Sequence, residues 1–342
     1  MKTMKVIEVK EPGKIELVEK EIPTPKKGEA LLKIKYCGIC GSDVATYTGN
    51  QPFASYPRIP GHEFSAEIVE IEENDLGLEK GMIVTANPYF NCGSCYSCER
   101  GKVNCCESNE TMGVQRDGSF AEYITMPIER IYKGNGLEAK QLVLIEPFSI
   151  SYHAINRGDV QKGDKVLVFG AGAIGIFAMV SAKLRGAEVY IADVFEERLE
   201  KAKEMGADGT INVSKDNLEK RVKEITNSNG MDVCIEAAGL PQTFLNCIDS
   251  VAFAGKIILI GNGKGETTFN HSILLKKELD IYGSRNSLKD FEPLIDLVSN
   301  EKVGTDIENI VTNVFTIDEA TEAFEILTNN AASQLKVLIK FD

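Results

Sequence analysis

At 342 residues the chain has room for two domains, and its 43% apolar content is ordinary for a globular protein with a sizeable core. A formal net charge of −13 makes phosphate backbones and anionic lipid poor partners, so neither nucleic acid nor membrane is expected, and an acidic substrate would need a local basic residue. Residues 1–10 carry charges throughout and no window approaches ~18 apolar residues, so neither a signal peptide nor a membrane span is expected. Nine cysteines in a cytoplasmic chain point to metal and not to a disulfide framework.

The first segment reads as short half-buried strands. Apolar and polar residues alternate over 5–9, 15–19, 29–35, 67–72 and 82–85. Turn signals separate the first three, at Glu11-Pro-Gly13 and at Pro23-Thr-Pro-Lys-Lys-Gly28. From about 151 the pattern changes. Strands are predicted at 165–169, 188–193, 210–212, 233–236, 257–260 and 280–283, with helices at 173–185, 196–205, 217–226, 242–251 and 272–277 between them. That alternation predicts an α/β fold with a doubly wound parallel sheet over 151–284. The tail, 285–342, holds helical stretches at 291–298 and 317–327 and a closing strand at 335–341.

One glycine turn lies inside the alternating region. Gly170-Ala-Gly172-Ala173-Ile174-Gly175 follows the strand 165–169 and opens a helix, and Asp193 ends the next strand. Gly170 permits the tight turn. Gly172 lets the backbone approach a pyrophosphate at the helix N-terminus, and Gly175 allows close helix–strand packing. Asp193 can accept from a ribose 2′-OH and would repel a 2′-phosphate, which favours NAD over NADP. Arg198, five residues on, joins Ala173, Ile174 and the three glycines in the predicted cofactor-binding set.

Two groups of metal-binding residue types stand in the first segment. Cys92, Cys95 and Cys98 supply three thiolates in a tight loop, and a fourth follows at Cys105 or Cys106. Four thiolates close a tetrahedral zinc site and leave no place for substrate, so this loop reads as a staple. The second set is scattered: Cys40, His62 with Glu63, and Glu146. One thiolate, one imidazole and carboxylates suit an open catalytic zinc.

With these motifs the chain resembles the zinc-dependent medium-chain dehydrogenases over essentially its full length. Five motifs match in order: Gly38-Ile-Cys-Gly-Ser-Asp43, Gly61-His-Glu63, the cysteine cluster, Ile145-Glu-Pro147 and the Gly170–Gly175 turn. Within the family it is more similar to the sorbitol-type polyol dehydrogenases than to the ethanol-oxidising branch, which has Cys at the place of Glu146. The resemblance implies a GroES-like catalytic domain, 1–150 completed by 285–342, and a Rossmann NAD-binding domain, 151–284. It implies two zinc ions per chain. Cys40, His62 and Glu63 or Glu146 would hold the catalytic one, and Cys92, Cys95, Cys98 and Cys106 the structural one, leaving Cys105 out. Asp43 matches an acid beside the catalytic site, and Ser42 the hydroxyl that takes the substrate proton. Many relatives place a His three residues after that hydroxyl. This chain has Ala45, so the proton would leave by another route, through water or the cofactor ribose. His153 reads as structural, and His271 has no motif around it.

The resemblance further implies NAD-linked oxidation of a secondary alcohol in a homo-oligomer, a tetramer or alternatively a dimer. Four stretches are similar to the bacterial L-galactonate and L-gulonate 5-dehydrogenases: Gly49-Asn-Gln-Pro-Phe-Ala-Ser-Tyr-Pro-Arg58, Asn104-Cys-Cys-Glu107, Glu146-Pro-Phe-Ser-Ile150 and Tyr282-Gly-Ser-Arg-Asn286. A hexonate carboxylate calls for an arginine, for which Arg285 is the first candidate and Arg58 the second. The alternatives are an L-threonine 3-dehydrogenase and, from another class, a non-catalytic zinc-binding interaction protein.

Overall fold

The computed structural model describes residues 2–300, 307–330 and 332–341. Of the tail assigned above to the first domain, 301–306, 331 and 342 therefore lie outside the described residues. Contacts divide the chain into two compact units, Met1–Glu146 with Leu288–Asp342, and Pro147–Ser287.

Among its described residues, the first unit is built on a seven-stranded sheet. In spatial order the strands are Val311–Thr316, Lys336–Lys340, Glu29–Ile39, Glu63–Glu70, Ile83–Ala86 and Ile131–Lys133, and Tyr123–Pro127 also pairs with Glu29–Ile39. The strand predicted at 29–35 runs four residues further. Its end pairs with the tail, Val337 opposite Ile39 and Ile339 opposite Cys37. No local pattern at 36–39 announces a partner from the far end of the chain. A separate ribbon, Thr3–Glu11 with Lys14–Glu21, turns where Glu11-Pro-Gly13 predicts it, with Gly13 at φ +80.

The core of this unit draws on both ends of the chain. Phe64, Phe120 and Phe324 are fully buried. Phe120 and Phe324 meet edge to face at 5.9 Å. Phe324 lies on the helix Ala320–Asn329. The predicted helix 317–327 starts later than expected, because Ile317–Glu319 forms a 3-10 turn. Glu319 holds that turn by accepting from the amide and the hydroxyl of Thr316, both at 2.8 Å.

The second unit carries a six-stranded parallel sheet among its described residues, with helices between successive strands. Numbered along the chain, its strands Lys165–Phe169, Glu188–Asp193, Gly209–Asn212, Met231–Glu236, Val251–Leu259 and Asp280–Gly283 lie in the order 3-2-1-4-5-6. That is the doubly wound order, with the switch point between the first and fourth strands. Lys165–Phe169 is buried from its second residue on, as a strand covered on both faces must be.

Among the helices without a prediction above, two carry residues of the site described below, Gly41–Tyr47 and Ile145–Arg157. The first is too short for a helical period to show. The second contains Pro147, a residue tolerated in a helix's first turn because its amide needs no partner there.

Candidate functional site

Three chain segments meet at one end of the large sheet in the first unit. Cys40 follows the strand Glu29–Ile39 and N-caps the helix Gly41–Tyr47. Asp43 holds this corner. Its Oδ2 accepts from the Cys40 amide at 2.9 Å, and its Oδ1 from the Gly61 amide at 2.9 Å. His62 comes next; its Nδ1 is 3.8 Å from Asp43 Oδ1 and has no hydrogen-bond partner among the described residues. Glu63 opens the strand Glu63–Glu70 directly opposite Gly38. A Cβ at position 38 would fall 2.1 Å from Glu63 Oε2, so glycine there leaves room for the Glu63 carboxylate to fold back over the strand.

One donor atom from each of Cys40, His62 and Glu63 lies within 4.8 Å of the others. Lys336 donates to both carboxylate oxygens of Glu63, at 2.8 and 2.7 Å, and the two side chains are only 4% and 2% exposed. Glu146, in the first turn of Ile145–Arg157, is outside that trio and accepts a short hydrogen bond from the Tyr89 hydroxyl. Ser42 Oγ is buried and without a hydrogen-bond partner among the described residues.

The field in this cluster is strongly negative. Burial disfavours charge on His62, yet Asp43, Cys40 and Glu146 outweigh it and hold the imidazole pKa well above its ordinary value. Burial pushes the Glu146 carboxyl up to about 7; the His62 charge opposes that rise and the Glu63 carboxylate adds to it. Burial likewise raises Asp43. A divalent cation among one thiolate, one imidazole and one carboxylate would supply the charge these groups lack, and the donor set is that of a three-ligand zinc.

The cysteine loop differs in each respect. The sulphurs of Cys92, Cys95, Cys98 and Cys106 all lie within 4.8 Å of one another, while Cys105 is exposed and outside the group. The Cys92 amide points at Cys106 Sγ, 3.3 Å away. The Ser97 hydroxyl, with the amides of Glu107 and Cys98, holds the Cys95 thiol down at about 5, and the amides of Ser94 and Cys95 lower Cys92. These donors favour the thiolate at Cys92 and Cys95, the form that zinc binds, whereas burial pushes the Cys98 thiol up to about 11, a rise that a bound cation would oppose.

In the second unit the glycine turn has the shape its sequence predicts. A Cβ on Gly175 would lie 1.8 Å from the Gly170 carbonyl oxygen, so helix and turn touch through glycine. Gly172 N-caps the helix Ala173–Leu184 without a side-chain cap, and nothing lies within 4 Å of where its Cβ would be. Open space at an uncapped helix N-terminus suits a pyrophosphate. Asp193 Oδ2 accepts from the Ala171 amide at 2.7 Å, and Oδ1 from Val194 and Phe195 at 2.7 and 3.0 Å. Arg198 stands 3.9 Å from the same carboxylate.

Residues 173–300 match the family model described as zinc-binding dehydrogenase, and residues 26–136 that of the alcohol dehydrogenase GroES-like domain. The chain is 34% identical over 342 residues to the L-galactonate-5-dehydrogenase of Escherichia coli K12, covering 100% of both. It is 35% identical over 333 residues to the sorbitol dehydrogenase of Halalkalibacterium halodurans, covering 96% of both. The solved alcohol dehydrogenase RspB of Escherichia coli CFT073, complexed with NADH, superposes with a TM-score of 0.91 at 34% identity, over 99% of each chain. The chain belongs to the zinc-dependent medium-chain dehydrogenases, in their polyol-like branch.

As a medium-chain dehydrogenase it pairs a GroES-like domain with a Rossmann domain and is an NAD-linked oxidoreductase of CH–OH groups. Among the described residues no helix is long and apolar enough to cross a membrane. Of the two arginines singled out for substrate, Arg58 is engaged within the dehydrogenase fold. It donates to Asp117 Oδ1 at 3.0 Å and to Ser55 Oγ at 2.5 Å. Arg285 is exposed, on the segment after the last strand of the second unit. Sequence reasoning missed two partners of the carboxylates, Lys336 and Tyr89. A lysine at the buried start of the apolar strand Lys336–Lys340 is a usable signal, since buried lysines need a counter-charge. Tyr89 carries none.

Proposed function

We propose that this dehydrogenase oxidises a secondary alcohol of a polyol or sugar acid, with a hexonate as the favoured substrate, and holds two zinc ions per chain. Cys40, His62 and Glu63 would hold the catalytic ion with Glu146 beside them, and Cys92, Cys95, Cys98 and Cys106 the structural one. The trio Cys40, His62 and Glu63, gathered within 4.8 Å with the His62 and Glu63 side chains buried, carries the reading. Bound zinc supplies Lewis acidity toward an alcohol, and bound NAD supplies the hydride acceptor.

The chain's own residues do the rest. Asp43 fixes the corner at Cys40 and faces His62. Lys336 offsets the charge of Glu63. Ser42 Oγ, a buried hydroxyl lacking a partner, accepts the substrate proton. Ala45 offers no imidazole beyond it, so Ser42 would pass its own proton onward by a route other than a histidine relay. Gly170, Gly172 and Gly175 with Ala173 and Ile174 receive the pyrophosphate. Asp193, oriented by three amides, meets the ribose, with Arg198 beside it.

Similarity to an L-galactonate-5-dehydrogenase supports the hexonate reading, and Arg285, exposed on the segment after the last strand of its sheet, is assigned the carboxylate, with Arg58 second. The test is a panel of hexonates, polyols and L-threonine with NAD. A hexonate should give the highest kcat/KM, and Arg285→Ala should raise its KM about tenfold or more while leaving polyols unchanged. Sorbitol or L-threonine turning over best would refute the hexonate assignment.

A homo-oligomer, tetramer or dimer, belongs to the same proposal. The strand Asp280–Gly283 is last in the order of its sheet among the described residues, and Phe253, on the neighbouring strand Val251–Leu259, and Leu275 are 63% and 86% exposed. Light scattering that gives a monomer mass would refute it. All nine cysteines are unpaired, which supports a reducing, cytoplasmic setting.

A further inference from the structure

Glu146 is a proposed member of the catalytic set that is outside the close trio, and one of its partners is a neutral hydroxyl. Tyr89 donates that hydroxyl to Glu146 Oε1. The backbone that carries Tyr89 is held in turn. Arg130 donates through Nη1 to the Tyr89 carbonyl and through Nη2 to Asn91 Oδ1 at 3.1 Å. Its guanidinium also lies 4.6 Å from the centre of the Phe90 ring. The two residues Tyr89–Phe90 form one strand of a small ribbon with Glu110–Thr111. The connection between those strands contains the whole four-cysteine loop, so closing the loop closes the ribbon that aims Tyr89.

We propose that Tyr89 is a positioning residue, set in place by the cysteine-closed ribbon, that fixes the Glu146 carboxylate relative to Cys40, His62 and Glu63. The proposal rests on the zinc assignment made above. It gives the cysteine loop a task in the chemistry although no thiolate of that loop reaches the catalytic trio.

Zinc retention against a graded series of a competing chelator tests it on the full-length zinc protein, with wild type, Tyr89→Phe, Glu146→Ala, the double variant and Cys40→Ser compared by elemental analysis. An outer partner of a metal site is worth about 10- to 100-fold in affinity. Tyr89→Phe should therefore surrender one of its two ions at about 10- to 100-fold lower chelator and keep the other as wild type does. In the Glu146→Ala background the same substitution should add nothing. Wild-type retention by Tyr89→Phe, with one ion gone from Cys40→Ser, would overturn the proposal and leave the zinc assignment standing. An equal further loss in the Glu146→Ala background would overturn it too, since Tyr89 would then act on the fold and not through Glu146. Two tightly held ions in Cys40→Ser would overturn both readings. Unchanged near-ultraviolet circular dichroism in Tyr89→Phe is the folding control.

Discussion

Residues 92–106 gather four sulphurs from one short loop, whereas Cys40, His62, Glu63 and Glu146 come from three separated segments of the chain. In the loop the proposed ligands are alike, Cys92 is exposed, and backbone amides lower its thiol. In the scattered cluster the ligands differ in kind and the carboxylates are buried. Side chains from elsewhere hold each one: Asp43 beside His62, Lys336 on Glu63 and Tyr89 on Glu146. A closed set of identical ligands needs nothing outside itself to bind an ion tightly. An open set must leave room for substrate, so its geometry has to be held from behind.

The contrast can be broken from either side, and the largest effect belongs to the open cluster. Cys40→Ser should cost about a thousandfold in kcat/KM and leave one zinc per chain, because Lewis acidity contributes several kcal/mol. Steady-state kinetics with elemental analysis checks this, and retained turnover would refute the catalytic assignment. Next comes Lys336→Met, which leaves Glu63 buried without its counter-charge. Urea unfolding of the metal-free protein should show a loss of about 3–5 kcal/mol. Cys106→Ser should lose one zinc and about 3 kcal/mol of stability, whereas Cys105→Ser should keep both ions and wild-type unfolding. Equal metal content in the two cysteine variants would contradict the role given to the loop.

The smallest effect lies away from both clusters and calibrates them. Glu8 is 2% exposed and is paired with Lys10 and Lys20 on the Thr3–Glu11 ribbon. Burial would raise its pKa, but the two ammonium groups outweigh that and hold it below the ordinary 4.5. A carboxyl whose folded pKa is depressed stabilises above the unfolded value, and the contribution is lost as pH falls through the folded one. Glu8→Gln should therefore cost about 1 kcal/mol at neutral pH, a gap that closes below pH 4.5. A gap independent of pH would assign the effect to packing.

Much of the fold can be read along the chain. The strands predicted at 165–169, 188–193 and 280–283 match Lys165–Phe169, Glu188–Asp193 and Asp280–Gly283 residue for residue, because short apolar runs between amphipathic helices are a local signal. Helix Gly41–Tyr47 and strand Ile131–Lys133 stayed hidden. They are too short to show a period, and tertiary pairing stabilises them more than propensity does.

For the candidate site the division follows distance along the chain. The cysteine spacing lies within one loop, so the sequence by itself names the atoms that meet there and the softness of the ion they suit. Motifs name Cys40, His62, Glu63 and Glu146 one by one. That Glu63 joins Cys40 and His62 within 4.8 Å while Glu146 hangs from Tyr89 is decided by the fold. The reason is the register of three strands. Gly38 pairs with Glu63 on one side, Ile39 with Val337 on the other, and Lys336 arrives at a carboxylate 273 positions away. Hydrogen-bond pairing over that separation depends on the whole sheet, and no spacing in the sequence records it.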